Sequence, residues 1–285
     1  MMKLNRADLG LGGGSLLQVA HRSPVQMMSY IIDTTDNKVI IIDGGYYCEE
    51  DADNLYKMIM QRGGCVDLWI ITHAHHDHYG ALNWLMENLQ DFDIKIKKMC
   101  FHFPAKEWLA KMERYSFTEN FFRNLDKYSI NVVTPNVGDI LECGGVSVEI
   151  VSIPVNYEDY STVNPTSIII ILHFPKKDVL FLGDFDTDAQ DEFLKNGDVD
   201  KIRKDIVQMA HHGQKGVDHA FYQLIRPKVC LYPTPKWLWE NNYFDCEDPL
   251  TAGKGPYETL ETRKWMDELG VEMSFSQAEG DWLFI

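Results

Sequence analysis

The chain has 285 residues, 45% of them hydrophobic and 25% charged, which allows a sizeable core and excludes a disordered chain. Its formal net charge of −16 opposes non-specific binding to nucleic acid, whose phosphates need lysine and arginine partners. Six scattered cysteines without a CxxC pair argue against a disulfide framework or a zinc finger, and no apolar run approaches the ~20 residues that span a bilayer.

The opening "MMKLNRADLGLGGGSLLQVA" lacks the apolar stretch and cleavage site of a signal peptide, so the expectation is a cytoplasmic protein with reduced thiols. Within it, "GLGGGS" (10–15) is not followed by Gly-Lys-Ser/Thr and reads as a turn rather than a phosphate loop. "KVIIIDGG" (38–45) predicts a buried strand closing on a glycine turn. "DADNLYKMIMQRGG" (51–64) predicts a helix with Leu55, Met58 and Ile59 on one face. "VDLWIIT" (66–72) is a second buried strand, running straight into a histidine cluster. "YGALNWLMENLQ" (79–90) has a helical stripe of Leu82, Leu85, Met86 and Leu89.

Residues 104–128 read as two helical pieces broken near Ser116, and 138–155 as strands about a Gly-Gly turn. The stretch 166–186 is a β-hairpin around Pro175-Lys176-Lys177-Asp178. A helix from about Thr187 to Lys195, the strand "DIVQMA" (205–210) and a helix after Asp218 follow. The chain closes with the strand "VCLYP" (229–233), a helix over 257–270 and the strand pair "VEMSF"/"DWLFI". With no repeat and no linker, the pattern predicts one domain over 1–285, with two sheets packed together and helices outside.

"THAHHDHYG" (72–80) places four histidines and an aspartate in nine residues. His73 and His75 are two apart, so in an extended loop both rings face one way and can grip one cation. Asp77 and His78 come where the chain turns into a helix, whose N-terminus favours a carboxylate. His76 falls between the pairs and points away. Imidazole and carboxylate donors together suit zinc, manganese or iron(II). His21, His102, His173 and His219 are isolated and read as structural or exposed.

The H-x-H-x-D-H motif after an apolar strand and before a helix resembles the metal motif of the metallo-β-lactamase-fold hydrolases. Later segments match that pattern in order. "IIIDGG" supplies Asp43, "VLFLGDFD" supplies Asp184 after Gly183, and "VQMAHHGQKG" supplies His211 and His212. Asn164, Ser167, Gly183-Asp184 and His211-His212-Gly213 are further similar to the metallo-β-lactamase-like domain of DNA-uptake competence proteins and its stand-alone relatives. Gln214 stands where those carry serine.

The resemblance implies an α+β fold, a four-layer αβ/βα sandwich, with the site at one edge of the packed sheets. It implies His73, His75, Asp77, His78, Asp184 and His211 as metal ligands, Asp77 and His212 as catalytic groups, and Asp43 as support behind them. The cofactor would be one or two divalent ions, zinc first and manganese or iron as alternatives. The activity would be hydrolysis by a metal-activated water, on a phosphoester or phosphodiester. The alternatives are a small acyl ester, lactone or thioester, or a non-catalytic metal-binding scaffold. A small-molecule or phosphoester partner is expected, with nucleic acid disfavoured by the charge and no membrane partner.

Two family histidines have no counterpart. Between 145 and 165 the place falls to Asn156, Tyr157, Asn164 or a water, and "YPTPKWLWENN" (232–242) holds no histidine. In iron-dependent oxygen-reducing relatives a glutamate replaces the second histidine of the motif; His75 stands there and favours hydrolysis. The aromatic stretch "KWLWENNYF" (236–244) reads as core or as pocket lining. Of the pair at 211 and 212, adjacent residues leaving an extended strand point to opposite sides. One is then a ligand and the other a proton donor, with His211 preferred as ligand because it directly follows the strand.

Overall fold

The structure, a computed structural model, describes residues 3–112 and 115–285. Among these, two large sheets form. The first has eight strands in the order Leu4–Ala7, Asp281–Phe284, Ser15–Gln18, Ser29–Asp33, Val39–Asp43, Leu68–Ile71, Met99–Phe101 and Val132–Val133. The second has seven, in the order Ile140–Cys143, Val146–Ser152, Ile169–His173, Asp178–Phe181, Ile206–Gln208, Val229–Tyr232 and Met273–Ser276.

The alternation of side chains along each strand builds the layers. Ile40 and Ile42 face Ile170, Leu172 and Phe181 in a core between the sheets. Ile41, Trp69 and Ile71 face outward onto Leu55, Ile59, Leu82 and Leu85 of helices Glu49–Met60 and His76–Asn88. On the far side Ile171, Leu180 and Val207 pack against Phe193, Phe221 and Met266 of helices Thr187–Asn196, His219–Ile225 and Thr259–Leu269. Both faces of each central strand are therefore apolar, which is why they read as unbroken hydrophobic runs. The result is the expected helix–sheet–sheet–helix sandwich.

Several boundaries differ from expectation. Helix His76–Asn88 begins three residues before Tyr79, with Asp77 in its first turn, so the histidine motif lies partly on the helix. The segment 66–72 divides. Cys65–Val66 pairs with Lys95–Ile96 in a separate ribbon, and only Leu68–Ile71 joins the large sheet. Ser116 sits inside helix Tyr115–Lys127; the preceding helix is Lys106–Leu109, and residues 113 and 114 of the expected break lie outside the described residues. The closing strands do not pair with each other. Met273–Ser276 joins Val229–Tyr232 in one sheet, while Asp281–Phe284 lies between Leu4–Ala7 and Ser15–Gln18 in the other. The turn Gln277–Glu279 and Gly280, at φ 110°, carry the chain across. The "GLGGGS" turn packs on the hairpin loop, with Leu11 accepting the Lys176 N–H.

Candidate metal centre

Each chemistry-bearing residue follows the carboxyl end of a strand. Asp43 ends Val39–Asp43, Thr72 and His73 follow Leu68–Ile71, Gly183-Asp184 follows Asp178–Phe181, and His211-His212 follows Ile206–Gln208. The first two strands belong to one sheet and the last two to the other, so the residues meet where the sheets' edges converge. Ile168 donates its N–H to the Thr72 carbonyl there, at 3.0 Å. A Cβ on Gly183 would lie 3.0 Å from Thr72 Cβ and 3.1 Å from Ser167 Cβ, and its φ is +58°. Glycine is what lets the Gly-Asp turn fit against the histidine loop.

Two groups of donors result. Asp77, His78, Asp184 and His212 form one, and His73, His75 and Asp184 the other, with donor atoms in each group within 4.8 Å of one another. Asp184 belongs to both. Its Oδ1 is 3.2 Å from His78 Nε2, and its Oδ2 is 3.5 Å from His212 Nε2 and 3.9 Å from His73 Nε2. His212 Nε2 also lies 3.2 Å from Asp77 Oδ2.

The opposite edges of these rings are tied down. His78 Nδ1 is 2.7 Å from Asp43 Oδ2, and His212 Nδ1 is 3.0 Å from the Pro233 carbonyl. His73 Nδ1 is 3.1 Å from Thr72 Oγ1, which in turn donates to Asp43 at 2.9 Å. A carbonyl or carboxylate only accepts, so Nδ1 carries a proton and Nε2 is the nitrogen turned inward. Nε2 of His73, His78 and His212 and Oδ1 of Asp184 are all buried without a properly directed hydrogen bond. Unpartnered buried polar atoms are costly unless something else satisfies them, and four converging on one point suit a divalent cation.

The carboxylates set the charge of these rings. Burial drives His73 well below the ordinary imidazole value, with His78 adding to the effect. Burial also opposes charge on His78, but the Asp184 and Asp43 carboxylates hold it well above its usual value. For His212 the same contest, won by Asp184 and Asp77, ends at about 9. The histidines in turn hold Asp77 and Asp184 below the carboxylate range despite their burial. Buried carboxylates here are stabilised by positive charge in their midst.

His76 stands apart, its ring against Tyr46 and Phe117. His211 also lies outside both groups. It is 28% exposed, with Nε2 4.0 Å from Asp184 Oδ2 and 3.1 Å from the Asn164 amide nitrogen. The backbone is not extended there, since His211 and His212 have φ of 48° and 55°. Side-chain alternation therefore does not apply, and the turn aims His212 rather than His211 at Asp77 and Asp184.

Of the candidates for the missing histidine, the Asn156 amide bonds to Glu192 and Tyr157 Oη accepts the Ala105 N–H. Asn164 is 8% exposed, and its Oδ1 has no partner. The 236–244 stretch divides, with Trp237 and Leu238 buried and Tyr243 and Phe244 exposed. His173 sits between Asp178 and Glu149, and His219 stacks on Trp265. Three supports were not legible as such: Thr72, the Pro233 carbonyl, and buried Gln208. The Gln208 side chain accepts the Leu182 and Gly183 N–H groups and donates to the Gly183 carbonyl.

Comparison with known sequences matches residues 22–213 to the metallo-beta-lactamase superfamily. No curated protein matches the chain. Among solved structures, the metallo-beta-lactamase fold protein YhfI from Bacillus subtilis is 14% identical with a TM-score of 0.57, over 95% of this chain and 99% of that one. Unliganded yeast PDE1 is 12% identical with a TM-score of 0.52, over 96% and 100%. CmlA, a diiron beta-hydroxylase from Streptomyces venezuelae, is 13% identical with a TM-score of 0.52, over 93% of this chain but 53% of that one. At these identities the likenesses show the fold alone. Among the described residues no helix is long and apolar enough to cross a membrane.

Proposed function

Because the chain belongs to the metallo-β-lactamase superfamily, we propose that it is a metal-dependent hydrolase acting on small phosphoesters or phosphodiesters, organised as one domain over 1–285. The observation that carries this reading is the convergence of three histidine Nε2 atoms and Asp184 Oδ1, all buried and unpartnered, with the Nδ1 edges anchored behind them. A chain that held no ion would have no reason to orient three imidazoles this way and leave them unsatisfied.

In this reading Asp77, His78, Asp184 and His212 hold one divalent ion, and His73, His75 and Asp184 a second. Zinc is proposed first, from the imidazole and carboxylate donors. A divalent ion there supplies Lewis acidity and brings a water towards ionisation near neutral pH. Asp77, a member of the first donor group, would help to hold that ion and orient the attacking water. Asp43 and the Pro233 carbonyl keep His78 and His212 in one tautomer throughout. His211, partly exposed beside the centre, donates a proton to the leaving group. Roles for His211 and His212 are thus exchanged relative to the sequence preference.

Phosphoester chemistry is favoured over acyl chemistry because Asp184 belongs to both donor groups. A shared carboxylate suits a displacement in which the attacking and leaving oxygens both need stabilisation. The likeness of Asn164, Ser167, Gly183-Asp184 and His211-His212-Gly213 to the stand-alone relatives of the competence proteins points the same way. The charge of −16 argues for small substrates over polynucleotides. The test is a rate comparison with metal-loaded protein on bis(p-nitrophenyl) phosphate, p-nitrophenyl phosphate, an acyl ester, a lactone and a thioester. The phosphodiester should be turned over fastest. An acyl substrate with the higher kcat/KM would overturn the assignment.

A further inference from the structure

A cavity of about 370 Å³ opens beside the second donor group. His75 forms one wall; Asn164, Ser161, Thr162 and Lys111 are among the others. We propose that this cavity holds a second phosphate of the substrate, away from the scissile bond, and that Lys111 selects for it. The hydrolase reading supplies the chemistry; binding at the cavity is a separate matter.

Three observations support the assignment. The chain has 43 acidic and 27 basic residues, yet among the described residues this lining contains a lysine and no carboxylate. Among the described residues Lys111 has no ion-pair or hydrogen-bond partner for its side chain, whereas lysines 57, 97, 201, 204, 215, 228 and 236 all have carboxylate partners. Its charge is therefore uncommitted, and this exposed lysine shares the cavity lining with His75. Finally, the buried Asn164 amide gives its nitrogen to His211 and leaves its Oδ1, an acceptor, unpartnered, so this wall calls for a donor such as a hydroxyl on the substrate arm that carries the phosphate. An unsatisfied buried amide on a cavity wall is the mark of a place where a ligand supplies the missing bond.

The polar groups differ in reach. A lysine is a compact charge on a flexible four-carbon stem, so it can follow an anion that is not rigidly placed. Lys111, the Ser161 and Thr162 hydroxyls and the Asn164 amide lie around one space. The lysine and the two hydroxyls are the donors among them and suit the several acceptor oxygens of a phosphate better than the two of a carboxylate, while Asn164 Oδ1 is left for a donor on the arm. The cavity lined by Val151, Phe185 and Phe193 has no lysine or arginine among its described residues. The cavity's size also falls in the range of small-molecule sites.

The experiment uses the full-length zinc-loaded protein, with Lys111→Ala and Lys111→Arg. The probes are p-nitrophenyl phosphodiesters whose second arm ends in phosphate, carboxylate or hydroxyl. The wild type should show a KM about five- to tenfold lower for the phosphate-ended arm than for the hydroxyl-ended one, the scale of a partly enclosed charge pair. Lys111→Ala should erase that difference while leaving kcat and the hydroxyl-ended substrate unchanged; Lys111→Arg should keep most of it. Absence of any preference in the wild type, or an equal slowing of all three probes by Lys111→Ala, would overturn the proposal. Equal preference for the carboxylate-ended arm would overturn the phosphate assignment. If the wild type cleaves none of the probes, the hydrolase reading fails, and calorimetry with inorganic pyrophosphate decides the cavity. Binding about five- to tenfold weaker to Lys111→Ala than to the wild type supports it, and equal affinity refutes it.

Discussion

Asp43 touches no proposed reacting atom, yet the geometry makes it a determinant of metal affinity. Its carboxylate receives three donors: the Thr72 N–H at 2.7 Å, the Thr72 hydroxyl at 2.9 Å and His78 Nδ1 at 2.7 Å. It also has φ of 58°, a backbone state that asparagine tolerates well. Asp43→Asn therefore preserves shape and backbone while replacing one acceptor oxygen by an NH2 group. At least one of the three buried donors then faces another donor, at a cost of about 1–3 kcal/mol. For a chain of this size that lowers the melting temperature of the metal-free protein by about 2–10 °C. His78 also loses the carboxylate that fixes its tautomer and raises its basicity, which should weaken zinc binding about 10–100-fold. Competition with a chromogenic chelator reads the affinity, and circular dichroism confirms that the fold remains. Zinc affinity within about twofold of wild type would refute the claim that Asp43 orients His78 as a ligand.

His212→Ala should strip metal and activity together, whereas His211→Ala should retain metal and slow turnover by ~10²–10⁴-fold, less for substrates with good leaving groups. Elemental analysis beside kinetics separates the two, and full metal with full rate in both variants would make the pair structural. Graded chelator dialysis should remove one ion before the other, because one group has four side-chain donors and the other three; simultaneous loss would argue against unequal sites. Gly183→Ala forces a side chain into φ +58° against Thr72 and Ser167 and should destabilise the protein by about 1–3 kcal/mol, read by urea unfolding, with weakened metal binding as Asp184 shifts.

The central strands were legible because burial on both faces leaves apolar runs such as Val39–Ile42. The metal motif was legible because four histidines and an aspartate are crowded into 72–80. Asp184 could be picked out only by its order after Gly183 and a strand. That His212 rather than His211 lies against Asp77 and Asp184 was not legible, because the left-handed backbone leaves little trace in the residues themselves. The available signal was Gly213, a residue that suits the left-handed backbone it adopts at φ +76° and so marks a turn. The closing strands were read as partners from adjacency, but pairing is set by which sheet edge is open. The Pro233 carbonyl, a backbone group, has no sequence signature at all. Lys111 carries no distinguishing pattern in the sequence, and only the fold brings it into one cavity lining with His75.

The account rests on hydrolysis that depends on divalent ions at this histidine–aspartate centre. The direct measurement is a titration of chelator-treated protein with zinc, following bis(p-nitrophenyl) phosphate hydrolysis at each addition. Activity should be absent at the start, rise with the ions bound and level off by about two equivalents per chain. Tight binding of zinc, manganese and iron(II) in turn, with no hydrolysis at any ratio, would contradict the account.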